Sequence, residues 1–192
     1  MDPYLEKIDV ILKRNLSEKA FDLWIGMRNN ISNPCWTRNT SSTGKYHKKE
    51  DGRNPTVAEH TFEMIYSADK IFSMFEGILN KNVIFLSIAL HDSYKYGLCK
   101  TCQHTEEKHG EIISEIIKKN KKIFLQALKE EDVLLLENAV KFHDGKFSPV
   151  AKKNNFNRDF LTPEVMFLNI LDMLGSRNCL KIIEDKNANT IN

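Results

Sequence analysis

Glycine and proline are scarce in this chain: eight and five residues among 192. With so few chain-breaking residues and no clear period-two alternation of apolar and polar side chains, β-sandwich and barrel architectures are excluded. Long apolar runs are missing as well. The longest, Val83 to Leu90, is interrupted by Ser87 and falls far short of the roughly 20 residues needed to cross a bilayer. The opening MDPYLEKIDVILKRN carries charges throughout and has no signal-peptide core. Four cysteines, Cys35, Cys99, Cys102 and Cys179, are too few and too scattered for a disulfide scaffold, which suits a reduced, cytoplasmic protein. No charge dominates either. A formal net charge of +2 supplies no bulk field that would recruit a polyanion, although Lys45, Lys48, Lys49 and Arg53 form one basic cluster and Lys118, Lys119, Lys121 and Lys122 another. Either cluster can be solvated surface; the first has more interest because it immediately precedes His60.

What remains is a soluble, globular composition, 41% hydrophobic and 28% charged, at a length that fits one domain over residues 1–192. The pattern is helical nearly throughout, predicting an all-α fold, a compact single-domain helical bundle. Leu5–Leu12 and Glu18–Met27 read as N-terminal helices within 4–28, with Ser17 as N-cap of the second. Residues 29–55 read as a long polar loop, of the kind that is functional or disordered. Val57–Phe75 has a stripe of Val57, His60, Met64, Ala68, Ile71 and Phe75 at helical spacing; Asn82–Tyr96 is apolar on most faces and predicts a central buried helix. Glu106–Lys118 and Lys121–Phe142 follow, the latter broken near Glu130, then a polar loop over 144–161. Thr162-Pro163-Glu164 is a strong helix start, and the helix it opens carries Asp172 to about Ser176. A flexible tail is expected over about 185–192.

Against this apolar background the polar placements stand out. Each of the six histidines lies in or beside a constellation built on His60, His91-Asp92 and Asp172, with His109 and His143 between. One histidine on an apolar face is ordinarily a hydrogen-bonded core residue. Here a histidine and an aspartate end the most hydrophobic segment, and Asp172 is flanked by Leu168, Leu171 and Leu174. Burying such charges costs several kcal/mol unless they are compensated. Histidine and carboxylate ligands on apolar helices suit a divalent metal that activates water, hence hydrolysis, and foremost of a phosphate ester. Lys95, three residues past Asp92, shares its helix face and either pairs with it or offers a cation to an anionic substrate oxygen.

These residues carry a resemblance. His60, His91-Asp92 and Asp172 resemble the ligand set of the HD-domain superfamily of metal-dependent phosphohydrolases. The segments SSTGKYH (41–47), VAEHT (57–61), ALHDSYKYG (89–97), KHGEIIS (108–114), VKFHDGKF (140–147) and TPEVMFLNILDMLGSR (162–177) are similar, in order, to stretches of one branch with many viral, including phage, or bacterial members. They span about 41–177. The resemblance implies an HD-type helical domain in the cytoplasm (of the host, for a viral member). It implies one metal held by His60, His91, Asp92 and Asp172, and makes His109 and His143 candidate ligands of a second, with Asp92 bridging. With a single metal, His109 and His143 would instead bind phosphate or shuttle protons. The ion could be Mn, Fe, Co, Ni or Zn, with Mg also open. The resemblance places the long loop near the centre, making Lys45 and His47 substrate contacts unless that loop is simply solvated. Arg177 either binds a phosphate or caps its helix.

One departure is Cys99-Lys-Thr-Cys102-Gln-His104, half of a structural zinc site without a second C-x-x-C, or else an ordinary reduced loop. Three functions compete. The first is a nucleotide phosphohydrolase: a nucleotidase, a dNTP triphosphohydrolase, or a phosphodiesterase of a cyclic or short oligonucleotide. The second is a 3′–5′ exonuclease on single-stranded nucleic acid, whose relatives tend to carry an extra binding domain not visible here. The third is a catalytically inactive binding module. In the first, Asp92, Lys95, His109 and His143 are the catalytic residues. No membrane partner is expected, and apolar positions on the first two helices could offer a homodimer face.

Overall fold

The computed structural model describes residues 2–31, 33–41, 49, 51–98, 102–145 and 161–176. Among these the chain is all-α. Nine helices follow in order: α1 Pro3–Asn15, α2 Glu18–Asn30, α3 Asn33–Thr37, α4 Val57–Ile71, α5 Lys81–Leu90, α6 His109–Lys119, α7 Lys121–Phe124, α8 Glu130–Phe142 and α9 Pro163–Ser176. The described residues hold no strand, only an isolated bridge between Asn39 and Thr56 that closes the base of the loop before α4. No described helix is long and apolar enough to cross a membrane.

Local chemistry sets the boundaries. Side-chain oxygens cap α1 (Asp2 to the Tyr4 amide), α2 (Ser17 to Ala20), α4 (Thr56 to Glu59) and α5 (Asn80 to Val83), each satisfying a backbone N–H that the first turn leaves without a partner. The helix expected to span 57–75 is α-helical to Ile71 and tightens to a 3₁₀ turn over Phe72–Phe75. The stretch expected to break near Glu130 does so: α7 stops at Phe124 and α8 starts at Glu130. Two expectations are corrected. The loop expected over 29–55 contains α3, whose Trp36 packs edge-on to Trp24 with ring centroids 6.0 Å apart. This apolar anchor within a polar stretch has no periodicity to announce it. The helix expected over 82–96 ends at Leu90; His91 to Tyr96 continue as tighter turns in which Ser93, Lys95 and Gly97 amides donate three residues back, to Leu90, Asp92 and Tyr94.

α5 lies at the centre. Val83 to Leu90 are all buried, and the one polar member, Ser87, donates its hydroxyl to the Val83 carbonyl at 2.6 Å, so its burial costs little. α5 packs on α8, α4, α9 and α1, while α6 lies against α8 and α1 against α4. One apolar core draws residues from every helix, from Leu5 and Leu12 on α1 to Leu168 and Leu171 on α9. Of the large apolar residues on α1 and α2, Val10 is exposed and the others are buried or half-buried in this core.

At Gly110, α6 lies directly against the backbone at the end of α8. A β-carbon there would stand 2.7 Å from the Val140 carbonyl oxygen and 3.1 Å from that of Lys141. Both obstacles are main chain and cannot swing aside. Gly110→Ala is therefore expected to lower stability by about 1–3 kcal/mol through overpacking, against the roughly 0.5–1 kcal/mol that alanine adds inside an unhindered helix. A urea-unfolding midpoint equal to or above that of wild type would show that α6 and α8 are not in this contact.

Candidate metal centre

Four helix ends converge on one place. His91 and His143 are the residues directly after α5 and α8, both still in helical backbone conformation. His109 opens α6, His60 sits in the first turn of α4, and Asp172 lies on α9. His60, His91, Asp92, His109 and His143 are at most 4% exposed. The structure thus brings together all six residues expected to ligate metal.

Their orientations are fixed from behind. The Nδ1–H of His91 donates to the Ile88 carbonyl at 2.8 Å, that of His109 to Glu106 at 2.8 Å, and that of His143 to Val140 at 2.7 Å. A carbonyl oxygen can only accept, so the proton of each neutral ring resides on Nδ1 and each Nε2 presents a lone pair to the cluster. This is the support that metal-bound histidines ordinarily receive.

Lone pairs consequently face lone pairs. His91 Nε2 and Asp92 Oδ2 lie 3.6 Å apart, and neither has a hydrogen-bond partner. Burial holds His91 neutral, its pKa pushed down to about 4 although Asp92 and Asp172 pull it up. Burial pushes Asp92 up, but Lys95 and the neighbouring histidines outweigh it, and the carboxyl is held well below the usual range. Two buried acceptors without a donor between them are costly. The Nε2 atoms of His109 and His143 stand 3.0 Å apart, the same conflict unless a proton or a cation lies between. Burial lowers His143, but Asp144, Asp172 and Asp92 more than offset it and its pKa is raised. Asp172 is held low by its 3.0 Å contact with His60 Nε2, again against burial.

A divalent cation resolves these conflicts. With ligand bonds of about 2.0–2.2 Å, two donors to one ion lie roughly 3–3.5 Å apart, close to the separations found here. Three groups of donor atoms could hold an ion: His60 with His91 and Asp92; Asp92 with His109 and His143; and His143 with Asp144 and Asp172. Asp92 faces two ways. Its Oδ2 lies toward His91, while Oδ1 is 3.1 Å from His109 Nε2 and 3.7 Å from His143 Nε2. Of the two roles open to Lys95, the ion pair with Asp92 is present, its Nζ 2.9 Å from Asp92 Oδ1 and its side chain only 12% exposed.

Other expectations fall elsewhere. Lys45, His47 and Arg177 lie outside the described residues, as do Cys99, Cys179 and the tail over 185–192. His104 is exposed and stands apart from the cluster, and among the described residues no metal-capable group includes it or Cys102. From the first basic cluster, Arg53 forks onto Glu59 at 2.6 and 2.8 Å and Lys49 pairs with Glu63. These cations clamp the loop to α4, one helical turn apart, rather than standing free for a substrate.

Three contributors escaped the sequence reading. Gly110 lets His109 approach His143. Asn169, one turn before Asp172, donates its amide to the His143 carbonyl at 2.6 Å and so ties α9 to the end of α8. Asp144 follows His143, and its signal was visible as a second His-Asp dipeptide. Comparison with protein-family models, with curated proteins and with solved structures returns no match to this chain.

A bound ion stabilises whichever state binds it, by about 2.7 kcal/mol at a hundredfold excess over Kd. Metal-stripped protein titrated with manganese or zinc is therefore expected to melt at a higher temperature, and His91→Ala to lose most of that shift. An equal shift in wild type and His91→Ala, followed by differential scanning fluorimetry, would place the binding elsewhere.

Proposed function

We propose that this chain is an HD-type, metal-dependent phosphohydrolase that cleaves phosphate ester or anhydride bonds of nucleotides. The observation that carries the reading is Asp92: a buried carboxylate turned between His91 on one side and His109 and His143 on the other, three histidines whose Nε2 lone pairs all face inward. Such a divided site suits the reaction better than it suits a structural ion, which would be enclosed by four ligands around a single point.

His60, His91, Asp92 and Asp172 would hold one divalent ion, and His109 and His143 a second that shares Asp92. A divalent metal there lowers the pKa of a water and offsets phosphate charge. The remaining work belongs to side chains. The carbonyls of Ile88, Glu106 and Val140 hold the three rings in a single tautomer. Lys95 keeps Asp92 ionised and puts a positive charge beside the place where a phosphoryl oxygen gains charge. The buried walls of α4, α5 and α8 exclude bulk water and strengthen each of these interactions.

Near-neutral net charge favours a small nucleotide over a long polymer, so a nucleotidase, a triphosphohydrolase or a cyclic or short-oligonucleotide phosphodiesterase ranks ahead of an exonuclease. The test is phosphate release over a panel of nucleotides and short oligonucleotides with added manganese, cobalt, nickel or zinc. Asp92→Ala is expected to abolish turnover, and Lys95→Ala to reduce it by about 10²–10³-fold, the loss typical of one electrostatic donor. Weak dependence of activity on salt is expected for a small substrate; a steep decline would indicate a polymer. A protein inert with every metal and substrate class would leave a binding module.

A further inference from the structure

The chain builds the same local device twice. α5 ends in His91-Asp92 and α8 ends in His143-Asp144. In both, the histidine keeps helical conformation after the last helical residue and donates Nδ1–H to the carbonyl three residues back. In both, Nε2 lies 3.6 Å from a carboxylate oxygen of the aspartate that follows. The second aspartate reaches across as well: Asp144 Oδ2 is 3.9 Å from His109 Nε2, and its carboxylate closes a donor group with His143 and Asp172. The two copies differ in exposure. The Asp92 side chain is fully buried, whereas that of Asp144 is 30% exposed.

We propose that Asp144 is a ligand of a second divalent ion, joining His109 and His143 in an outer site that opens to solvent, while His60, His91, Asp92 and Asp172 form an inner, enclosed one. This rests on the metal reading above and extends it to a residue that reading does not use. Charge supports it: the cluster sets three carboxylates, Asp92, Asp144 and Asp172, against the one ammonium of Lys95, an excess that a single divalent ion would just neutralise before any phosphate arrived. A second ion leaves the site positive toward an anionic substrate. The fold also takes care to place this acid. Gly145 adopts φ +54°, the left-handed region that suits glycine, and the Asn169 amide that holds the His143 carbonyl packs 2.9 Å from where a β-carbon on Gly145 would stand.

The experiment is equilibrium dialysis of the metal-stripped full chain against manganese, with bound metal counted by elemental analysis and paired ions detected by electron paramagnetic resonance. Wild type is expected to bind two ions with a spin-coupled signal. Asp144→Asn is expected to bind the second at least about tenfold more weakly and to lose the coupled signal, while the retained first ion reports that the variant is folded. Two ions in Asp144→Asn with both affinities unchanged would overturn this assignment and leave the proposed hydrolase standing, as would a single ion in wild type. No ion in wild type would sink both.

Discussion

A carboxylate without water is the constraint around which this protein is arranged. Asp92 sits at the end of its most apolar helix, where an unpaired charge would cost several kcal/mol. Lys95 answers that burial from the same turn, while His91, His109 and His143 surround the carboxylate with ring nitrogens. Lys95 satisfies one oxygen. The other points at a histidine nitrogen that has no proton to give, so side chains alone leave the centre unfinished. Around it, one apolar core draws on every helix.

That separation of duties shows in how the ligands are carried. None of the four clustered histidines stands on an irregular loop: each lies at or next to a helix terminus, and three are braced by carbonyls of their own helix or of the turn leading into it. Helix ends supply free backbone groups, and here carbonyls near those ends become the fixtures that set ring orientation. The cost is low because the bracing residues are local, and the precision is high because helices, unlike loops, are anchored along their whole length by the apolar core.

Much of this was legible in the sequence. Helical periodicity, sparse glycine and proline, and the helix starts at Ser17 and Thr162 gave the class and most element positions; the polar residues stranded in apolar surroundings pointed to His60, His91, Asp92 and Asp172, and the resemblance added His109 and His143 as candidate ligands. What failed to show has physical reasons. α3 is anchored by Cys35 and Trp36 and is too short for a periodic pattern. The end of α5 at Leu90 has no glycine or proline to mark it, because the chain merely tightens from four-residue to three-residue hydrogen bonding. Gly110 looked like any helical glycine; only a backbone three ångströms away explains it. Asp144 forms a second His-Asp dipeptide, but it opens a polar stretch with no apolar run around it to mark it as part of a buried cluster. Lys49 and Arg53 looked like a solvent-facing patch because the partners that use them, Glu59 and Glu63, are spaced one helical turn apart on a helix that begins after the loop.

The contact at Gly110 carries a further meaning. The floor under the distance between the His109 and His143 nitrogens is set by one main chain lying directly on another, with the ring orientations held by the carbonyls behind them. Backbone against backbone behaves as a hard stop, so the aperture between those two nitrogens is a property of the scaffold. For any cation held between them, size would be screened by the skeleton of the fold itself, and a change in preference from one ion to a larger one would have to be written into helix spacing as well as into the ligands.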